Sequence, residues 1–120
     1  MKVIIDTNAL IIPHKFKIDI FEEIEKLLPT AEKIIIDSTI RELHNIKDRK
    51  AANIALQLIN KYNIKIVHEP GETDSAIITY AQTNNGVVFT NDKEMKKMCI
   101  RFKVPVMYMR KKKKIELEGL

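Results

Sequence analysis

With 120 residues, 45% hydrophobic and 31% charged side chains, and a formal net charge of +5, the chain is sized for one domain with an ordinary core and a busy surface. No apolar stretch approaches the roughly 20 residues of a membrane-spanning helix, and a lone cysteine, Cys99, excludes an internal disulfide. Only three glycines are present and none forms a Gly-rich run before a Lys, so nucleotide hydrolysis at a phosphate-binding loop is unsupported.

Met1-Lys2 leads straight into the β-branched run Val3–Ile5, which reads as a first strand ending in Asp6. With no signal-peptide pattern and one cysteine, a cytoplasmic protein without membrane contact is expected. Ile20, Ile24, Leu27 and Leu28 then recur at helical spacing until Pro29 stops them. Ile34–Ile36 is a second strand, and Ser38 or Thr39 opens a helix through Leu43 and Ile46. The stretch from Asp48 to Tyr62 is a third helix, with Ala51, Ala55, Leu58 and Tyr62 on one face, and strand Ile64–Val67 follows it. Asp74 begins a fourth helix carrying Ile77, Ile78 and Ala81, ahead of strand Val87–Thr90. A fifth helix from about Asp92 to Phe102 turns Met95, Met98, Cys99 and Phe102 toward a core, and Val104–Tyr108 is the last strand. Strands alternating with helices of this length predict an α/β three-layer sandwich: a central parallel sheet of about five strands with helices on both faces. Nothing divides the chain, so residues 1–120 read as a single domain with a basic C-terminal extension from about residue 110, and residues 115–120 as a short extension or frayed end.

The positive charge is concentrated. Lys93, Lys96, Lys97 and Arg101 share one face of the fifth helix, and Arg110-Lys111-Lys112-Lys113-Lys114 form a dense run. A solvated tail, or lysines that protect an edge strand, would explain the run alone. Basic helix and basic run together point to nucleic acid.

The acids are placed where strand ends meet helices. Asp6 closes the first strand, Glu42 lies just past the second, Asp74 follows Ile64–Val67 by a short loop, and Asp92 closes Val87–Thr90-Asn91. In an open parallel sheet the carboxyl ends of the strands emerge at one edge, where ligands bind. Carboxylates gathered there repel one another unless a divalent cation lies between them. Each acid has a structural alternative. Glu42 can close a capping box with Thr39, Asp74 can cap a helix after Gly71, and Asp92 can be a first-turn acid beside an Asn91–Glu94 cap. Asp6 is harder to explain that way, because an unpaired carboxylate at the end of a central strand is costly. Thr7 and Asn8 add a hydroxyl and an amide that would orient it.

Asp6-Thr7-Asn8 after the first strand, Arg41-Glu42-Leu43 on a helix, the Thr73-Asp74-Ser75 helix start and Thr90-Asn91-Asp92 after the fourth strand together resemble the PIN domain family of metal-dependent ribonucleases. The resemblance covers essentially the whole chain. It implies a first strand in the centre of the sheet with the fourth beside it. It also implies that Asp6, Glu42, Asp74 and Asp92 are the catalytic and metal-binding carboxylates, holding one or two Mg²⁺ or Mn²⁺ ions. Asn8, Thr90 and Asn91 would orient those carboxylates by hydrogen bonds. Lys93, Lys97, Arg101, Arg110, Lys111, Lys112, Lys113 and Lys114 would hold RNA phosphates. Two stretches, Asp6–Leu10 with Phe16–Phe21 and Val104–Tyr108 with the basic run, are similar to archaeal relatives of the eukaryotic PIN endonuclease that processes small-subunit ribosomal RNA. Where such relatives carry paired aspartates this chain has Asp74-Ser75, which leaves open whether Glu72 or Glu94 adds a carboxylate.

The expected function is therefore hydrolysis of RNA phosphodiesters in ribosomal RNA processing, with rRNA, ribosome-assembly factors or a second copy as partners. The alternatives are a toxin-type PIN ribonuclease held by an antitoxin and a non-catalytic RNA- or protein-binding PIN module. A phosphate-accepting receiver domain also uses strand-end acids, but the acid pair it needs after the first strand is missing here. His14, His44 and His68 are dispersed and offer no zinc spacing. Cys99 sits on an apolar helix face and reads as core.

Overall fold

The structure is a computed structural model that describes residues 1–120. Six strands form one sheet: β1 (Lys2–Ile5), β2 (Glu32–Ile36), β3 (Lys65–Val67), β4 (Gly86–Phe89), β5 (Val106–Arg110) and β6 (Lys114–Glu118), in the order β3-β2-β1-β4-β5-β6. The first five are parallel and β6 runs antiparallel to β5. β1 lies between β2 and β4, as the family resemblance implied, with Ile4 opposite Ile34 on one side and Val88 on the other.

Alternation along the central strands builds two cores. Val3, Ile5, Ile35, Val87 and Phe89 face one layer, made of α1 (Thr7–Leu10), α2 (Ile12–Phe16), α3 (Ile20–Leu27), α4 (Asp37–Asn45) and α5 (Arg49–Lys61). Ile4, Ile34, Ile36, Val88 and Val106 face the other, made of α6 (Thr73–Thr83) and α7 (Lys93–Arg101). Strands buried on both faces read as continuous apolar runs, which is why β1, β2 and β4 stand out in the sequence. Gly86 lets α6 approach β4: a Cβ there would meet Ile4 Cδ1 at 2.5 Å and Ala81 Cα at 3.3 Å.

Four details differ from the sequence reading. Two short helices, α1 and α2, occupy Thr7–Phe16, where no element was expected. Helix α4 begins at Asp37, so Thr39 lies inside its first turn, fully buried with an unpartnered hydroxyl, and makes no capping box with Glu42. Helix α7 ends at Arg101, which leaves Phe102 46% exposed while Met95 and Cys99 are buried as expected.

The largest difference is at the C-terminus. The basic run is a hairpin, not an extension. Arg110 ends β5, Lys111–Lys113 make the turn and Lys114 opens β6, which returns Ile115 to the core. Lys111 and Lys112 both have left-handed φ, 53° and 57°, and the Lys113 N–H donates to the Arg110 carbonyl at 3.2 Å.

Candidate active site

Asp6 leaves β1 in extended conformation and caps α1. Its backbone N–H donates to the Phe89 carbonyl (2.9 Å), which holds it against the end of β4. Oδ1 accepts from the Thr7 N–H (2.7 Å) and Oδ2 from the Thr90 hydroxyl (2.8 Å). Thr90 is fully buried; its N–H donates to the Met107 carbonyl (3.0 Å), and its Oγ1 accepts from the Asp92 N–H (3.1 Å). One hydroxyl thus couples the acid after β1 to the acid after β4. Asp92 caps α7, accepting from the Glu94 N–H at 2.9 Å, so its capping role is real and coexists with its backbone link to Asp6 through Thr90.

Glu42 reaches the same edge from α4, held by the Thr7 hydroxyl at 2.7 Å. Asp74 stands in the first turn of α6. With Glu72 and Thr73 they line an open cleft of about 350 Å³. Thr7 orients Asp6 as expected, but through its N–H; its hydroxyl, expected on Asp6, binds Glu42 instead, a contact between α1 and α4 that sequence reasoning did not find. Asn8 and Asn91 are exposed and make no hydrogen bond to any carboxylate, so of the four residues expected to orient the acids only Thr7 and Thr90 do so. Glu72 lies in the acid cleft, whereas Glu94 is turned along its helix toward Lys97 at 3.6 Å.

Depth and mutual charge set the protonation. Desolvation pushes the Asp6 carboxyl up to about 6, against the pull of its Thr90 and Thr7 hydrogen bonds; the charges of Asp74 and Glu42 push it further in the same direction. Asp74 is also held above the usual carboxylate range, by desolvation and then by Glu42, Asp92 and Glu72. These groups therefore sense one another. No three of them stand at metal-ligand spacing as the side chains lie. An all-oxygen, acidic donor set in an open cleft nevertheless fits a hard divalent cation, which would relieve the repulsion that Asp6 and Asp74 record.

A fifth strand-end acid shows what a purely structural role looks like. Asp37 follows β2 directly and is bound by His68 Nδ1 (2.6 Å), the Ser38 N–H (3.0 Å) and Arg41 (3.6 Å). The His68 hydrogen bond holds its carboxyl below the ordinary range, the opposite direction to Asp6 and Asp74. His44 is exposed and Cys99 is buried, its thiol pushed up to about 12 by desolvation.

The basic residues divide into two sets. Lys93, Arg110 and Lys111 line a groove of about 260 Å³ with Thr90, Asn91 and Asp92, so the hairpin lies directly beside the acids. Lys97 and Arg101 are exposed further along α7, and Lys112, Lys113 and Lys114 are exposed on the hairpin. Lys96 is drawn to the Tyr108 ring, 3.6 Å from its centroid, and to Glu118.

A mostly parallel sheet between two helical layers, with Asp6, Glu42, Asp74 and Asp92 at its carboxyl edge, defines an α/β domain with acidic strand ends. The chain belongs to the PIN-like domain family, whose model matches residues 3–112. It is 38% identical to Ribonuclease VapC4 of Methanocaldococcus jannaschii, over 99% of this chain and 98% of that one. It is 28% identical to Ribonuclease VapC9 of Archaeoglobus fulgidus, over 98% of this chain and 89% of that one. Among solved structures it superposes on the PIN domain endonuclease Utp24 with a TM-score of 0.80 and 26% identity, covering 99% of this chain and 92% of the other.

Proposed function

We propose that this protein is a divalent-metal-dependent endoribonuclease whose site is formed by Asp6, Glu42, Asp74 and Asp92. The observation that carries this reading is the Thr90 hydroxyl, which ties buried Asp6 to Asp92 at the sheet edge where Glu42 and Asp74 also arrive. Mg²⁺ or Mn²⁺, bound by these four carboxylates, would supply positive charge against the scissile phosphate and acidify the attacking water. Thr7 and Thr90 fix the directions of the Glu42 and Asp6 oxygens. Lys93, Arg110 and Lys111 hold a phosphate next to the site, and Lys97, Arg101 and Lys112–Lys114 extend the positive surface. The reaction needs no side-chain nucleophile, consistent with a buried, protonated Cys99.

Two biological roles fit this chemistry. The toxin-type role, with an antitoxin as partner, is favoured by the ribonucleases named VapC that align along nearly the whole chain. Ribosomal RNA processing is supported by the likeness to Utp24. Residues 1–120 act as one domain, and a cytoplasmic setting suits its free thiol. The deciding measurement is cleavage of single-stranded and structured RNA with Mn²⁺, with EDTA, and after Mn²⁺ is restored. Cleavage that survives chelation overturns the proposal. Growth arrest on expression of the parent, absent for Asp6→Asn, separates the toxin role from rRNA processing.

A further inference from the structure

β6 is an outer strand of the sheet, paired only with β5. Which of its backbone groups are spent follows from β5. The Val88 and Thr90 N–H groups donate to the Pro105 and Met107 carbonyls, each at 3.0 Å, so Pro105 and Met107 turn their backbone toward β4. By alternation Val106, Tyr108 and Arg110 turn theirs the other way, to Glu118, Glu116 and Lys114 of β6. The N–H and C=O groups of Ile115 and Leu117 therefore point out of the sheet, and no other group of the chain hydrogen-bonds to them. Such an edge is a template for another strand. Lysines often guard one, but β6 carries a single lysine, Lys114, and sets Glu118 at its other end.

We propose that β6 pairs antiparallel with β6 of a second copy of this chain, about a two-fold axis at Glu116, and joins two sheets into one. The side chains set the register. With Glu116 on the axis, Ile115 lies opposite Leu117 of the second copy and Lys114 opposite its Glu118, each twice by symmetry. Ile115 and Leu117 lie on the side of the first core, and Glu118 on the side of α7, where it meets Lys96 at 3.7 Å. Apolar groups thus meet on one face and opposite charges on the other. The one like pair is Glu116 with itself, and each Glu116 is held by its own Arg110 at 3.2 Å. Moving the axis to Ile115 sets Leu117 against Lys113, and moving it to Leu117 sets Glu116 against Glu118. The two-fold points the acid edges of the two copies in opposite directions, so neither site covers the other. Neither RNA nor metal enters this pairing, which stands apart from the ribonuclease reading.

Sedimentation of the full chain, without RNA, tests it. The mass should rise from 13.9 kDa toward twice that value with concentration, with a midpoint on the order of 100 μM for so small an interface. A mass that stays at 13.9 kDa up to about 1 mM overturns the proposal and leaves the edge to an extended segment of a different protein. Leu117→Pro removes an outward N–H and no bond to β5, a change that edge strands accept, so it should abolish the rise. A dimer that persists in the folded variant lies elsewhere and overturns the proposal. Cysteine substitution decides the register even if the proline variant does not fold. Glu116→Cys sets two thiols across the axis at a Cα separation of about 4.5 Å, within disulfide reach. Lys114→Cys sets them about 13 Å apart along the strands. Oxidised glutathione should therefore link the first variant into a covalent dimer and not the second; equal linking of both, or none in the first, overturns the proposal.

Discussion

Asp6 and Asp92 arise from the same local device and end in different conditions. Each follows a buried strand in extended conformation, and each caps the next helix through its own side chain. Yet Asp6 is 3% exposed with both oxygens hydrogen-bonded, whereas Asp92 is half-buried, and Glu42 and Asp74 stand exposed at the rim. Position at a strand end brings a carboxylate to the edge. Depth below that edge then decides what charge it carries and how firmly it is aimed. The site thus has a rigid, reluctant floor and an open rim.

The strongest way to test the contrast is Asp6→Asn. Loss of the floor carboxylate should reduce cleavage by orders of magnitude. The same variant should be more stable than the parent at neutral pH. An acid whose folded-state pKa of about 6 exceeds the 3.8 of an ordinary aspartate opposes folding when ionised. The penalty is absent below about 3.8, grows as pH rises toward 6, and is complete above that, at roughly 3 kcal/mol. Metal-free melting curves should show the gain at pH 7 and its disappearance near pH 4. A variant less stable than the parent at pH 7 would mean the floor carries no penalty.

Next in size is Thr90→Val. The hydroxyl donates to Asp6 and accepts from the Asp92 N–H, so its removal should cost about 10- to 100-fold in activity or metal affinity. It should also push the Asp6 titration higher, because the Thr90 bond is the largest influence holding it down. NMR titration of the Asp6 carboxyl checks the second point; an unmoved midpoint would show the bond is idle.

Outside the floor the effects should shrink and change kind. Lys111→Ala with Lys113→Ala should weaken RNA binding and make its salt dependence shallower, by about 0.7 in log–log slope for each single-strand phosphate no longer neutralised. The saturated cleavage rate should stay nearly unchanged. An unaltered slope would return the hairpin lysines to a solvent role. Point substitutions are needed, because deletion from Arg110 would remove β6 and its buried Ile115. Smallest of all is His44→Ala, on the exposed side of α4, which should leave cleavage and melting within error.

The sequence shows most clearly what is buried on both faces. β1, β2 and β4 are unbroken apolar runs, and the acids that follow β1 and β4 are found by position alone. β6 was not legible because Lys-Ile-Glu-Leu-Glu offers one buried residue, Ile115, to mark an edge strand behind a run of lysines. Helices α1 and α2 escaped because, at four and five residues, neither spans enough turns to show periodicity. Glu42 and Thr7 are sequence-distant, and their 2.7 Å hydrogen bond comes from α1 packing on α4. The Thr39–Glu42 spacing gave a false cap, because α4 opens three residues earlier than that motif needs.

The hairpin tip carries one more consequence. Lys111 and Lys112, the central residues of the turn closed by the Lys113 N–H on the Arg110 carbonyl, both adopt the left-handed conformation that Asn-Gly fills with least strain. Side chains other than Gly and Asn give up about 1 kcal/mol at such a position. Lys111→Asn with Lys112→Gly should therefore raise the melting temperature while loosening the hold on RNA. At this tip, improvement as a folded object and the RNA-holding role proposed for its lysines pull in opposite directions, and a stability-guided redesign that ignored charge would remove the hairpin's positive charge first.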